Sequence, residues 1–152
     1  EITLTSEATQ VSGEYDKLWN ASLERIGLKL KVKKGNFADN LKAAKDCQLQ
    51  MWGSAWSADY PDGENFLQLL YGPNSGQSNN GCYNSPVFHR MYEMSLRMPH
   101  SPKRDKLYQM MSRQMEYDGA WKIAGKINFD SGRRSGLQET SHAARRIHVH
   151  GY

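Results

Sequence analysis

Cysteine is nearly absent from this 152-residue sequence, which contains only Cys47 and Cys82. Two are too few for a disulfide scaffold, and the sequence alone leaves their pairing open. Apolar content is low too, at 38% with a mean hydropathy of -0.78, so part of the chain contributes little to a core. No segment approaches the ~20 apolar residues that a membrane helix needs. The opening Glu1-Ile2-Thr3-Leu4-Thr5 lacks the basic leader and apolar run of a signal peptide and reads as the interior of a domain. There is no internal repeat, no Gly-x-Ser-x-Gly elbow and no glycine-rich phosphate loop. Asp59, Asp62 and His89 could be imagined as an acid–base set, but nothing in the sequence brings them together. An enzyme reading therefore has little to stand on.

The length suits one domain, since ~100–150 residues is the common size, and allows roughly two thirds of the unfolded surface to be buried. The net charge is +4 and the pI is 9.1, but the charge is uneven. Arg133, Arg134, Arg145 and Arg146 stand near the end against the single acid Glu139, and the rest of the chain is close to neutral. The basicity belongs mainly to the tail and argues only weakly for nucleic acid.

Periodicity predicts an α/β start. Ile2 and Leu4 alternate with threonines as a short strand. Tyr15, Leu18, Trp19, Leu23 and Ile26 share one helical face over residues 14–26, which Gly27 ends. Leu28 to Lys33 alternate strictly, giving a strand with a buried face and a lysine face, and solvation is the plainer account of those lysines. Asn36 caps a helix over 37–46. A third strand starts at Leu49 and runs toward Trp56. Strand–helix–strand–helix–strand order with short connections predicts a βαβαβ sheet over residues 1–56.

A helical half follows, with helices near 64–71, 86–97 and 101–118. Ser85-Pro86 and Ser101-Pro102 each pair an N-cap with proline at the first helical position. Val87, Phe88, Met91, Tyr92 and Ser95 form one face, and Leu107, Met110, Met111, Gln114 and Met115 another. That methionine stripe has ordinary helical spacing and reads as core, not as a metal or haem site. Residues 74–81 are too rich in turn formers for a regular element. Ile123, Ile127 and Phe129 are candidates for a last strand, and residues 131–152 show no sustained periodicity.

The run Trp56-Ser57-Ala58-Asp59-Tyr60-Pro61-Asp62-Gly63-Glu64-Asn65-Phe66-Leu67 resembles a signature of the family 5 extracellular solute-binding proteins. These are the oligopeptide-, dipeptide- and nickel-binding components of ABC transporters. The likeness continues in Leu70-Tyr71-Gly72-Pro73-Asn74, in Asn79-Asn80, in Tyr83-Asn84 and in the helix pair that follows, covering roughly residues 1–127. It implies a periplasmic-binding-protein-like lobe of type II, three-layer-like, with a βαβαβ sheet and a helical C-terminal half. It also implies periplasmic ligand binding in place of catalysis, with no cofactor. The implied partners are a small peptide or related solute, an inner-membrane permease and an absent N-terminal lobe. Trp56 and Asp59 are the implied ligand-binding residues, one lining the cleft and the other neutralising an amino terminus. Read from the residues alone, Asp59 is more simply a turn or helix-approach residue, and Asp62 and Glu64 are solvated helix-start acids favoured by the dipole.

The sequence departs from the family pattern in three places. Gly63 stands where the family has proline, and His89 where it usually has an acid. Residues 128–152 form a divergent basic tail. The bases GGG CTA CAA GAA ACA TCC would encode Gly136 to Ser141, and one base along they read Gly-Tyr-Lys-Lys-His, which resembles the family's ending. The tail is therefore expected to be frame-shifted and to add little to stability. His142, His148 and His150 suggest a metal site only weakly, against the plainer reading of a flexible tail. The Arg-rich tail also leaves a small nucleic-acid-binding module as the rival function, although it lacks interleaved aromatics.

Overall fold

The computed structural model describes residues 1–128 and 143–150, with side chains described for residues 1–123. Strand β1 (Ile2–Glu7) leads through helix α1 (Gln10–Glu24) to β2 (Leu30–Gly35), and α2 (Phe37–Lys45) leads to β3 (Met51–Trp56). β1 pairs in parallel with both β2 and β3. The first crossover thus moves one way from β1 and the second moves back across it. Crossovers of one hand in opposite directions put their helices on opposite faces of the sheet. Trp19 and Leu23 of α1 accordingly share a cleft with Met51, while Ala44 and Leu41 of α2 cluster with Trp52.

The helices begin where side chains cap them. Thr9 Oγ1 accepts from the Ser12 N–H at 3.2 Å, so α1 begins at Gln10, four residues before the expected start, with Gly13 inside it. Its inner face also differs from the expected one. Leu18 is 64% exposed and Ile26 70%, and the buried residue of α1 is Asp16. Asn36 caps α2 as expected, its Oδ1 accepting from Asp39 N–H at 2.9 Å. β2 is an edge strand, so Leu28 and Val32 stay partly exposed beside its solvated lysines. Lysines on an edge also discourage pairing with another chain.

The main core lies on the α2 side. Helix α3 (Glu64–Leu67) continues as 3-10 turns over Gln68–Leu70 and Gly72–Asn74, and α4 (Pro86–Leu96) and α5 (Pro102–Tyr117) pack beyond it. Leu70, Phe88, Met111 and Met115 are buried there with Trp52 and Trp121. Burying one such side chain is worth about 1.5–3 kcal/mol. The methionine stripe is core, apart from the exposed Met110. Cys47 and Cys82 are joined by a disulfide, with Cα atoms 5.7 Å apart. Both adopt the left-handed backbone conformation, Cys47 at the position past α2 that glycine commonly takes.

β4 (Trp121–Asn128) includes the expected Ile123 and Ile127, whereas Phe129 lies outside the described residues. The stretch expected to lack any element instead provides β5 (Ala143–His150). It runs antiparallel to β3 on one side and to β4 on the other, giving the order β2-β1-β3-β5-β4. In hindsight Arg146-Ile147-His148-Val149-His150 alternates polar and apolar residues, a period of two.

Candidate functional site

Trp56 ends β3, so it sits at the carboxyl edge of the sheet, where open α/β folds take ligands. Its half-buried indole is fixed by one residue. Asn65, on α3 and 0% exposed, accepts at Oδ1 from Trp56 Nε1 at 2.7 Å. The same oxygen accepts from the Asp59 backbone N–H at 3.4 Å. Asn65 thereby draws the two expected ligand residues into one turn. The Asp59 carboxylate itself is exposed and has no hydrogen-bond or ion-pair partner among the described residues.

The turn is anchored from behind by the acids expected to be solvated. Asp62 accepts from Glu64 N–H at 2.9 Å, Tyr108 Oη at 3.0 Å and Arg104 Nη1 at 2.9 Å. Burial opposes its charge, but the Glu64 amide, the Tyr108 hydroxyl and the Arg104 guanidinium outweigh burial and hold its carboxyl below the ordinary range. Glu64 accepts from both Tyr60 Oη and Tyr92 Oη. Burial and that carboxylate raise the Tyr92 hydroxyl well above its usual value. These acids knit the turn to α4 and α5. Gly63 fits the same arrangement, since a Cβ there would stand 3.0 Å from the Tyr108 ring.

Neither Asn65 nor Arg104 is singled out by periodicity. Arg104 did leave a signal: a cation in the first turn of α5 opposes the helix dipole, which a carboxylate opposite it offsets. His89 packs against Tyr71 and accepts at Nε2 from Gly72 N–H at 2.9 Å. Burial lowers its pKa, with nearby Glu93 opposing. A Cβ on Gly72 would lie 2.4 Å from the imidazole, so this approach requires glycine.

A cleft of 590 Å³ opens along the same carboxyl edge, between the N-termini of α1 and α2. Its size falls in the ~300–1,000 Å³ range of small-molecule pockets. Tyr15, Trp19, Phe37 and Trp52 line it with Glu7 and Asp16, and the lining ends at Ala55, next to Trp56. Asp16 accepts from Ser6 Oγ at 3.1 Å and from Lys34 Nζ. No group of potential metal ligands occurs among the described residues, and the tail histidines lie outside the described side chains.

Residues 1–78 match the model of the bacterial extracellular solute-binding proteins, family 5 middle region. "Heme-binding protein A" of Haemophilus influenzae is 29% identical over 111 residues, covering 72% of this chain and 20% of that protein. The periplasmic binding protein DppA of Helicobacter pylori, solved with the peptide STSA, superposes with a TM-score of 0.68 at 23% identity, over 77% of this chain and 23% of that one. HbpA2 of Haemophilus parasuis gives 0.70 at 16% identity, over 97% of this chain and 26% of its own. The chain thus spans about a quarter or less of the length of these proteins.

Proposed function

The chain belongs to the bacterial extracellular solute-binding proteins of family 5, and from that premise we propose that it is the ligand-binding lobe of a periplasmic substrate-binding protein serving an ABC transporter. Its ligand is a short peptide or similar small solute, bound without turnover. The lobe acts with an N-terminal lobe that closes over the ligand by a hinge, and the closed form engages an inner-membrane permease. The Cys47–Cys82 disulfide supports an oxidising compartment.

One observation carries the site assignment: Asn65 holds Trp56 and Asp59 in one turn at the carboxyl edge and leaves the Asp59 carboxylate without a partner among the described residues. A free carboxylate beside an indole suits a ligand ammonium, through charge-assisted hydrogen bonding and cation–π attraction. In the lone lobe that pair is wet and worth only ~1 kcal/mol. The chain alone should therefore bind short peptides no better than about millimolar, or ~4 kcal/mol.

Calorimetry tests this with a mixed short-peptide pool and with heme. The two proteins to compare are the chain and a chimera carrying it in place of the matching segment of a full-length family 5 protein. The chimera should bind peptides far more tightly than the lone chain, and Asp59→Asn should weaken it about tenfold, or ~1.4 kcal/mol. If Asp59→Asn leaves the chimera's affinity unchanged, Asp59 is a turn residue only. Tight heme binding without peptide binding would move the ligand class instead.

A further inference from the structure

Three residues that line one small cavity each carry a buried polar atom without a partner among the described residues. The cavity measures 30 Å³ and lies between the sheet and the loop before α4, with Trp52, Trp56, Asn80 and Trp121 in its wall. The unpartnered atoms are Nε1 of Trp52, Nε1 of Trp121 and Oδ1 of Asn80. Both indoles are deep, Trp52 being 3% exposed and Trp121 7%. They occupy one row of the sheet, each opposite Val149 in the register.

The chemistry of that set is narrow. An indole N–H only donates, and an amide carbonyl oxygen only accepts. Two donors and one acceptor suit an oxygen with two lone pairs and an O–H. The two N–H groups disfavour a cation, and the carbonyl oxygen disfavours an anion. The space exceeds the ~10–15 Å³ that one water needs and is far below the ~300 Å³ of a small-molecule pocket. We propose that the cavity binds one ordered water, which accepts from both indoles and donates to Asn80. The water ties the loop carrying Asn80 to the sheet directly behind Trp56, whose own N–H is engaged by Asn65. This site is independent of the ligand role proposed for Trp56.

Water-to-indole cross-relaxation in the ¹⁵N-labelled chain tests the proposal. The chain has four tryptophans. Trp19→Phe and Trp56→Phe each remove one indole signal, which assigns the other two to Trp52 and Trp121. Both should show cross-peaks to water with the sign of a residence time beyond a nanosecond. Both should lose them in Asn80→Leu, which removes the acceptor and fills the space. Ser54 and Ser78 also line the cavity, and their exchanging hydroxyl protons could mimic the signal. The cross-peaks must therefore survive in the Ser54→Ala/Ser78→Ala variant. Their absence from the native chain, or their loss in the serine variant, overturns the proposal. Should Asn80→Leu fail to fold, a high-resolution crystal structure replaces it. One density peak at ~2.7–3.2 Å from all three atoms is the expected result, and a cavity without density overturns the site.

Discussion

The two halves of this chain are held together by different forces. Residues 1–56 form a regular strand ladder that buries Leu4, Met51 and Trp52, yet the apolar side chains along α1 bury poorly. Val11 and Leu18 of α1 and Ile26 just past it are exposed, and clefts of 590 and 600 Å³ border that helix. In the helical half Leu70, Phe88 and Met111 are fully enclosed, and tyrosines close over the acids that hold the Trp56–Asn65 turn. Backbone pairing thus supports the first half and side-chain packing the second. The proposed ligand residues stand where the two meet. A site placed there has a rigid wall behind it and a looser edge in front.

Substitutions in the two halves should therefore behave very differently. Phe88→Ala should cost about 3–5 kcal/mol, as emptying a well-packed site does. Leu18→Ala, on the exposed α1 face, should stay within about 0.5 kcal/mol. Urea midpoints of the two variants measure this, and equal costs would break the comparison. The disulfide comes next. It joins the end of α2 to the loop before α4 across a sequence separation of 35. The loop-entropy relation gives about 4 kcal/mol for that length. Cys47→Ser/Cys82→Ser should lose most of this, and hydrogen exchange should then show residues 1–56 opening before the helical half.

The tail tests the ladder itself. β5 sits between β3 and β4, so a chain ending at Asn128 should melt lower by on the order of 10 °C, equivalent to a few kcal/mol. A shift of only a degree or two would instead bear out the expectation that residues 131–152 add little to stability. The codons for Gly136 to Ser141 test the frame shift separately, because any set incompatible with the shifted reading ends it.

Much of the ladder was legible because strands and caps are local. Strict alternation gave β2, and Asn36, Ser85 and Ser101 marked helix starts that their side-chain bonds confirm. The inner face of α1 was not legible. Hydrophobic spacing selected Leu18 and Ile26, but Asp16 turns inward because Lys34 and Ser6 satisfy it, and only the fold supplies that partner. Arg104 and Asp62 lie 42 residues apart, so no window of sequence joins them. Trp56 and Asp59 came from the family motif. Asn65, which ties them, lies in the same motif but displays no chemistry until its burial is known.

The smallest effect expected concerns His89, whose neutral Nε2 accepts the Gly72 N–H. Burial holds its pKa below the ordinary value near 6.5. Between the folded and unfolded values the unfolded chain binds more protons, so stability rises with pH there. Its contribution is complete above about pH 6.5 and fades as pH falls through the depressed folded value. Asp62 and Asp118, whose carboxyls are also held low, lose theirs only below about pH 4, in a separate window. The urea midpoint should therefore slope downward as pH falls below about 6.5. In His89→Gln, whose amide oxygen can accept the Gly72 N–H without titrating, that slope should flatten while the loss below pH 4 remains. An unchanged slope in His89→Gln would mean that the imidazole leaves Gly72 at no cost, and that packing alone holds this corner of the helical half.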